Sequence, residues 1–230
     1  MRGNHKLVGE IWQQLRGAMA LPALVTAGVW VLGSIGISEG GMGLGASWSA
    51  TLLGLVGGVA LSRGPEGAPQ HLLVGPNQRT TLLGIGLTIL TVAMGVMTAL
   101  SLGAAYVFHG SATFGTPVMA AGLLSAGAGI ALGTVASARS EGLGLSILAL
   151  VSWTALPPVI AAQILGVHFT SLMGTPLSFL SPIAALGVAT WAWTRYSPVA
   201  TRRRLGTVLA LSLGCQVAIG LALATTNTIA

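Results

Sequence analysis

Long apolar runs separated by short polar interruptions set the pattern of this chain. The runs fall at 20–37, 47–63, 82–108, 116–137, 143–166 and 205–225. Each is close to or beyond the roughly 20 residues that an α-helix needs to cross a bilayer. The pattern predicts an all-α, polytopic membrane protein. It forms a single transmembrane domain over 1–230 with six transmembrane helices, or seven if a further segment crosses. The connections at 38–46, 109–115 and 167–176 carry no Lys or Arg. Arg63 and Arg79 flank the loop between the second and third runs, and Arg139 marks the loop between the fourth and fifth. Basic residues favour the cytoplasmic side, so this alternation places the N-terminus in the cytoplasm of a multi-pass protein of the cell membrane.

Segment 177–200 leaves two readings open. Leu177-Ser-Phe-Leu-Ser-Pro182 and the apolar stretch to Trp193 are about long enough to cross once, and Arg195 and Arg202-Arg203-Arg204 follow. Charge bias alone makes 177–194 an inward crossing and gives seven spans. Pro182 and the Trp191/Trp193 pair equally fit a re-entrant or interfacial element, because tryptophan favours the headgroup level. Ahead of the first run, Leu7, Ile11, Leu15 and Met19 recur every fourth residue with Trp12 beside them. Lys6, Glu10, Gln13, Gln14 and Arg16 take the other positions. This predicts an amphipathic elbow helix over 5–19 lying on the membrane surface, or a helical extension of the first span. Ala18-Met19-Ala20 resembles a signal-cleavage site but precedes the apolar stretch, so the first span is expected to be retained.

Composition sharpens this picture. Hydrophobic residues make up 53% and charged residues 6% of the 230 positions. That is far below the roughly 25% charged residues of soluble domains. A net charge of +6 would suggest nucleic acid in a soluble protein. Here the basic residues edge apolar runs with no interleaved aromatics, which excludes a nucleic-acid partner and leaves the lipid bilayer. The 34 glycines suit close helix packing, and Gly54/Gly58 and Ser125/Gly129/Gly133 have the four-residue spacing that lets backbones approach. Pro157-Pro158 is expected to break or kink the fifth helix.

Chemistry is sparse. There is no aspartate, and Glu10, Glu39, Glu66 and Glu141 all fall outside the predicted spans, as do Lys6, His71, His109 and His168. Proton- or sodium-coupled carriers usually hold ionisable groups at membrane depth. An enzyme needs a nucleophile with a base, or metal ligands. Neither set is present, so no catalytic, cofactor-binding or metal residues are assigned. Cys215 reads as a small apolar residue. The spanning Ser and Thr residues (Thr88, Thr91, Thr98, Ser101, Ser125, Ser152) read as back-bonds to carbonyls or interhelical hydrogen bonds. Lys6 sits in no phosphate loop, so any ATP chemistry must come from a second polypeptide.

The polar loop 64–81 is the most informative segment. Glu66-Gly67, then Gln70-His71-Leu72-Leu73-Val74-Gly75-Pro76-Asn77-Gln78-Arg79 and Leu82-Leu83-Gly84, resemble the first cytoplasmic loop of ABC-2-type transporter permeases. The amphipathic segment before the first span, a proline near the end of the fifth, and Leu177-Ser-Phe-Leu-Ser-Pro182 agree in order with that family. The resemblance implies the membrane-spanning subunit of an ABC exporter. It pairs with a second permease subunit, the same or different, and with ABC ATPase subunits that bind the ATP. It implies an ATPase-coupling interface at Glu66, Gln70, His71, Leu72, Leu73, Val74 and Arg79, and an elbow helix carrying Leu7, Ile11, Trp12 and Leu15. It also implies six spans, with 177–200 as outer re-entrant structure.

Overall fold

The computed structural model describes residues 2–63, 75–172, 179–197 and 201–227. Seven α-helices account for nearly all of them: α1 (Arg2–Ser34), α2 (Glu39–Arg63), α3 (Pro76–His109), α4 (Gly115–Val135), α5 (Arg139–Leu165), α6 (Leu180–Thr194) and α7 (Thr201–Asn227). A short 3₁₀ turn, Phe169–Leu172, lies between α5 and α6. Six of the helices are long and apolar enough to cross a membrane, over Leu15–Ser34, Glu39–Arg63, Gln78–His109, Gly115–Val135, Arg139–Leu165 and Arg203–Asn227. The protein is a polytopic membrane protein, and its outer surface fits that solvent. Leu24, Val31, Val92, Tyr106, Val107, Leu148 and Ile183 all stand exposed around the bundle. In water such a perimeter would aggregate, whereas lipid tails solvate it.

Helix α4 is the axis. Within the most apolar stretch of each span, 78% of α4 and 61% of α2 are buried, against 28–33% for α1, α3, α5 and α7. The α2–α4 pair runs parallel through glycine contacts. A Cβ on Gly54 would lie 2.2 Å from the Gly122 carbonyl oxygen, one on Gly58 2.7 Å from that of Ala126, and one on Gly129 2.7 Å from that of Leu55. Lipid gives no hydrophobic drive for helices to associate, so closeness of this kind, with its dispersion contacts, is what holds them together. The glycine spacing thus serves packing inside one subunit.

Two ends of the bundle can be told apart by what clusters there. At one end Val29, Met42, Ala104 and Ala105 share a buried cluster with Phe114 packed on it. Trp30 and Phe108 meet edge to face, with ring centroids 6.1 Å apart. Here the Glu39 carboxylate accepts hydrogens from the Ser111 hydroxyl and from the Thr113 amide and hydroxyl, at 2.6–2.9 Å. That ties the start of α2 to the α3–α4 connection. At the other end Ile11, Leu15, Leu61, Leu82, Leu83, Val135, Trp193 and Val208 share the largest cluster. All ten Lys and Arg residues belong to segments at this second end, hereafter the arginine face: Arg2, Lys6 and Arg16 in the first half of α1, Arg63, Arg79, Arg139, Arg195 and Arg202–Arg204.

Helix α6 packs along α4. Ala185 lies against Gly127 near the middle of α4, and Trp193 joins Val135 in the cluster at the arginine face. Helix α6 therefore runs parallel to α4 toward the arginine face. Its 15 residues span about 22 Å, short of the roughly 30 Å of hydrocarbon. Helix α7 then starts at that face and runs parallel to α5, with Ser152 against Gln216 and Gly220 against Pro157 and Ile160. The described helices include six long and apolar enough to cross a membrane, with the short α6 packed among them. Helix α1 begins and α7 ends at opposite ends of the bundle. Arg195 lies at the same end as Arg63 and Arg79.

Three further expectations meet the structure. Helix α2 begins at Glu39, well before the apolar run at 47, because Gly43 and Gly45 give room for Phe114 and Val29 to pack on it. The segment expected as an elbow is the first half of an unbroken α1. Its apolar stripe is covered by protein, with Ile11 and Leu15 at 1% and 0% exposure. Helix α5 continues through Pro157-Pro158 without a break. The Ser and Thr residues do as their spacing suggests. Thr88, Ser101 and Ser125 donate to carbonyls four residues back at 2.6–2.9 Å, and Ser152 donates to Gln216 Oε1 at 2.5 Å.

Candidate partner-coupling face

Arg63 and Arg79 bracket the loop in sequence, and each is fixed to another element. Arg63 ends α2 and is only 5% exposed. Its Nε donates to the Gly133 carbonyl at 2.7 Å. Gly133 stands in the last turn of α4, where carbonyls lack intrahelical partners and the helix dipole is negative, so a guanidinium satisfies both. Arg79, in the first turn of α3, donates from Nη1 to the Tyr196 carbonyl at 2.9 Å. Its guanidinium lies 5.9 Å from the centroid of the Tyr196 ring. The indole Nε1 of Trp193 donates back to the Arg79 carbonyl at 2.7 Å. One end of the loop is thereby tied to α4, and the other to the end of α6.

Next to this lies the α4–α5 connection. Ser137 gives both its amide and its hydroxyl hydrogen to the Glu141 carboxylate, closing the first turn of α5. Between Arg63, Ser137, Glu141, Tyr196 and Leu205 opens a cavity of about 360 Å³. Elsewhere two apolar grooves open sideways toward lipid. One, of about 400 Å³, lies between α2, α4 and α5 and is lined by Trp48, Leu52, Leu124 and Val151. The other, of about 440 Å³, lies between α1 and α3 and includes Val8, Trp12, Ile89 and Val92.

Of the interface residues expected from sequence, Arg79 is placed as described. Glu66, Gln70, His71, Leu72, Leu73 and Val74 lie outside the described residues. Of the elbow residues, Ile11 and Leu15 are core, Trp12 is half exposed toward the α1–α3 groove, and the Leu7 side chain lies outside the described residues. Sequence reasoning missed Trp193 and Tyr196 as partners of Arg79, and Arg63 as a buried group. Span-end arginines ordinarily snorkel to water. The available signal was the run of small residues Gly129 and Gly133, which leaves α4 carbonyls open to a neighbour.

The Trp193–Arg79 link yields a direct check. Trp193 is fully buried, so Trp193→Phe removes a hydrogen bond and part of a packed ring. Such losses cost about 1–3 kcal/mol together. Melting of the purified protein in detergent should fall, and protease cleavage within 64–74 should quicken. An unchanged melt would show that the link carries no weight. No protein-family model, curated protein or solved structure matches this chain.

Proposed function

We propose that this chain is the membrane-spanning subunit of an ATP-driven exporter of the ABC-2 type, moving a hydrophobic or amphipathic cargo with ATP hydrolysed by a separate subunit. The observation that carries the reading is mechanical. Both ends of the loop 64–74 are held by arginines bonded to the backbone of other elements, Arg63 to Gly133 and Arg79 to Tyr196. A push on this loop by a closing ATPase is passed at once to α4, the most buried helix, and to α6. Rigid elements joined through such contacts can shift between arrangements as bodies. In this reading the arginine face is cytoplasmic, Glu66, Gln70 and His71–Val74 meet the ATPase, and a second permease subunit completes the pathway.

The lateral grooves support the class of cargo. The one between α2, α4 and α5 offers Trp48, Leu52, Leu124 and Val151, with Ser47, Thr51 and Thr154 as its polar fringe. Such a lining fits an acyl chain or an apolar peptide better than a hydrated ion. The proposal rests on the loop and on the anchors of Arg63 and Arg79 that bracket it.

The test is retention of an ATPase. Full-length protein solubilised from its native membrane in mild detergent should carry an ATP-hydrolysing polypeptide. Leu73→Asp or Glu66→Lys should release it by at least about tenfold, the loss of roughly 1.4 kcal/mol, while the spans still fold. Purification free of any ATPase would favour an unpowered carrier or channel. Retention unaffected by both substitutions would favour an assembly or immunity role in which the loop is idle.

A further inference from the structure

Helix α1 carries charge on a side that the bundle leaves open. Ile11, Leu15 and Ala18 are buried on one side of it. Glu10, Gln13, Arg16, Gly17 and Ala20 stand exposed on the other. Two rulers give the depth of this stripe. The Pro22 carbonyl accepts the Ser49 hydroxyl at 2.8 Å, and Ser49 lies about 21 Å along α2 from Arg63 at the arginine face. Arg16 is six residues back from Pro22, about 9 Å, which leaves it about 12 Å inside that face. Along α3, Trp12 and Met19 share a groove with Val92 and Met97, and Val92 lies about 20 Å beyond Arg79. Arg16 also falls within the apolar span Leu15–Ser34. One leaflet supplies about 15 Å of hydrocarbon, so Gln13 and Arg16 face lipid well below the headgroups, with Glu10 nearer the face. Among the described residues none meets Glu10, Gln13 or Arg16 with a hydrogen bond or ion pair. Polar and charged groups at such depth are costly and almost always turn toward a protein partner.

We propose that a second copy of this chain docks on this side of α1, helix α1 against helix α1. Copies inserted the same way meet in parallel about a twofold axis along the membrane normal. In that arrangement the stripe is complementary to itself. At about 100° per residue, Gln13 and Ala20 fall on its midline, seven residues apart. Glu10 and Arg16 flank Gln13, each about 60° to one side. A twofold axis sets the left flank of one helix against the right flank of the other, as at the e and g positions of parallel coiled coils. Arg16 of each copy then faces Glu10 of the other, and the two Gln13 carboxamides meet between these pairs. Gly9 and Gly17 have nothing within 4 Å of an added Cβ, so the two backbones have room to close in. The inference builds on the proposed function only in naming its second subunit. It needs no ATPase, so the two readings can fail separately.

The experiment uses the purified full chain in phosphatidylcholine vesicles, with no ATPase present. In a Cys215→Ala background, Gln13→Cys should be joined into a dimer by a short bismaleimide. Leu148→Cys, exposed on α5, should not. Self-association is then measured by energy transfer between differently labelled copies as lipid dilutes them. Arg16→Glu sets carboxylate against carboxylate and should weaken association by at least about tenfold, the equivalent of roughly 1.4 kcal/mol. Glu10→Lys combined with Arg16→Glu exchanges the two flanks and should restore most of it. Both positions are exposed, so each variant should melt in detergent as the wild type does. A wild-type chain that stays monomeric in the vesicles would overturn the proposal. So would a link through position 148 as efficient as that through 13, an Arg16→Glu chain that associates normally, or a double exchange no better than Arg16→Glu alone. A monomer that still retains an ATPase from its native membrane would leave the proposed function standing with a different second subunit.

Discussion

Gly54→Ala should melt on the order of 2–8 °C below the wild-type protein in detergent, and Gly54→Leu should fail to give a monodisperse species. The added methyl would sit 2.2 Å from the Gly122 carbonyl oxygen and 2.9 Å from the Ala126 nitrogen, where real Cβ contacts essentially never fall below 3.0 Å. Both neighbours are backbone, so no side chain can turn away. Helices α2 and α4 must separate along their contact, which also loosens Gly58 and Gly129. Overpacking of this kind costs about 1–3 kcal/mol, and each kcal/mol moves the melt by about 2–4 °C in a chain of this size. Alanine favours the helix over glycine by up to about 1 kcal/mol, so the sign is not automatic. The control isolates it. Gly95→Ala on α3 meets nothing within 4 Å and should melt at or slightly above the wild type. If Gly54→Ala also melts there, the α2–α4 seam is not the axis of the fold.

That seam was legible in the sequence as four-residue spacing of small residues, but spacing alone could not say which surfaces meet. The same limit explains the N-terminal segment. Leu7, Ile11, Leu15 and Met19 announce an apolar stripe, yet a stripe covered by headgroups and one covered by helices have the same periodicity. Ile11 and Leu15 turn out to be covered by the bundle. The six long helices were readable because a run of some 20 apolar residues has few other fates. Helix α2 was read too short because Gly40, Gly41, Gly43 and Gly45 look like a loop to any soluble-protein rule. In a tightly packed bundle glycine instead lets Phe114 and Val29 approach. The buried state of Arg63 was unreadable, since it depends on a carbonyl 70 residues away.

Charge and family plan point opposite ways for the stretch after residue 177. In the bundle α6 ends, and α7 begins, at the end where Arg63 and Arg79 lie. Each charge at the centre of a spanning helix costs roughly 2.5–3.5 kcal/mol on insertion scales. The short α6 brings Trp193 to Arg79. The anchoring proposed for Arg79 depends on α6 ending at the arginine face, because Trp193 and Tyr196 meet Arg79 only there.

Cysteine accessibility tests it most directly. In a Cys215→Ala background, single cysteines at Ser140 and Ser38 mark the arginine face and the opposite face. Cysteines replacing Ser197 and Asn227 are then scored in intact cells and in broken membranes with a membrane-impermeant maleimide. The account predicts that position 197 labels with 140 and position 227 labels with 38, whichever face is outside. Labelling of 197 with 38, and of 227 with 140, would mean six crossings and would contradict it.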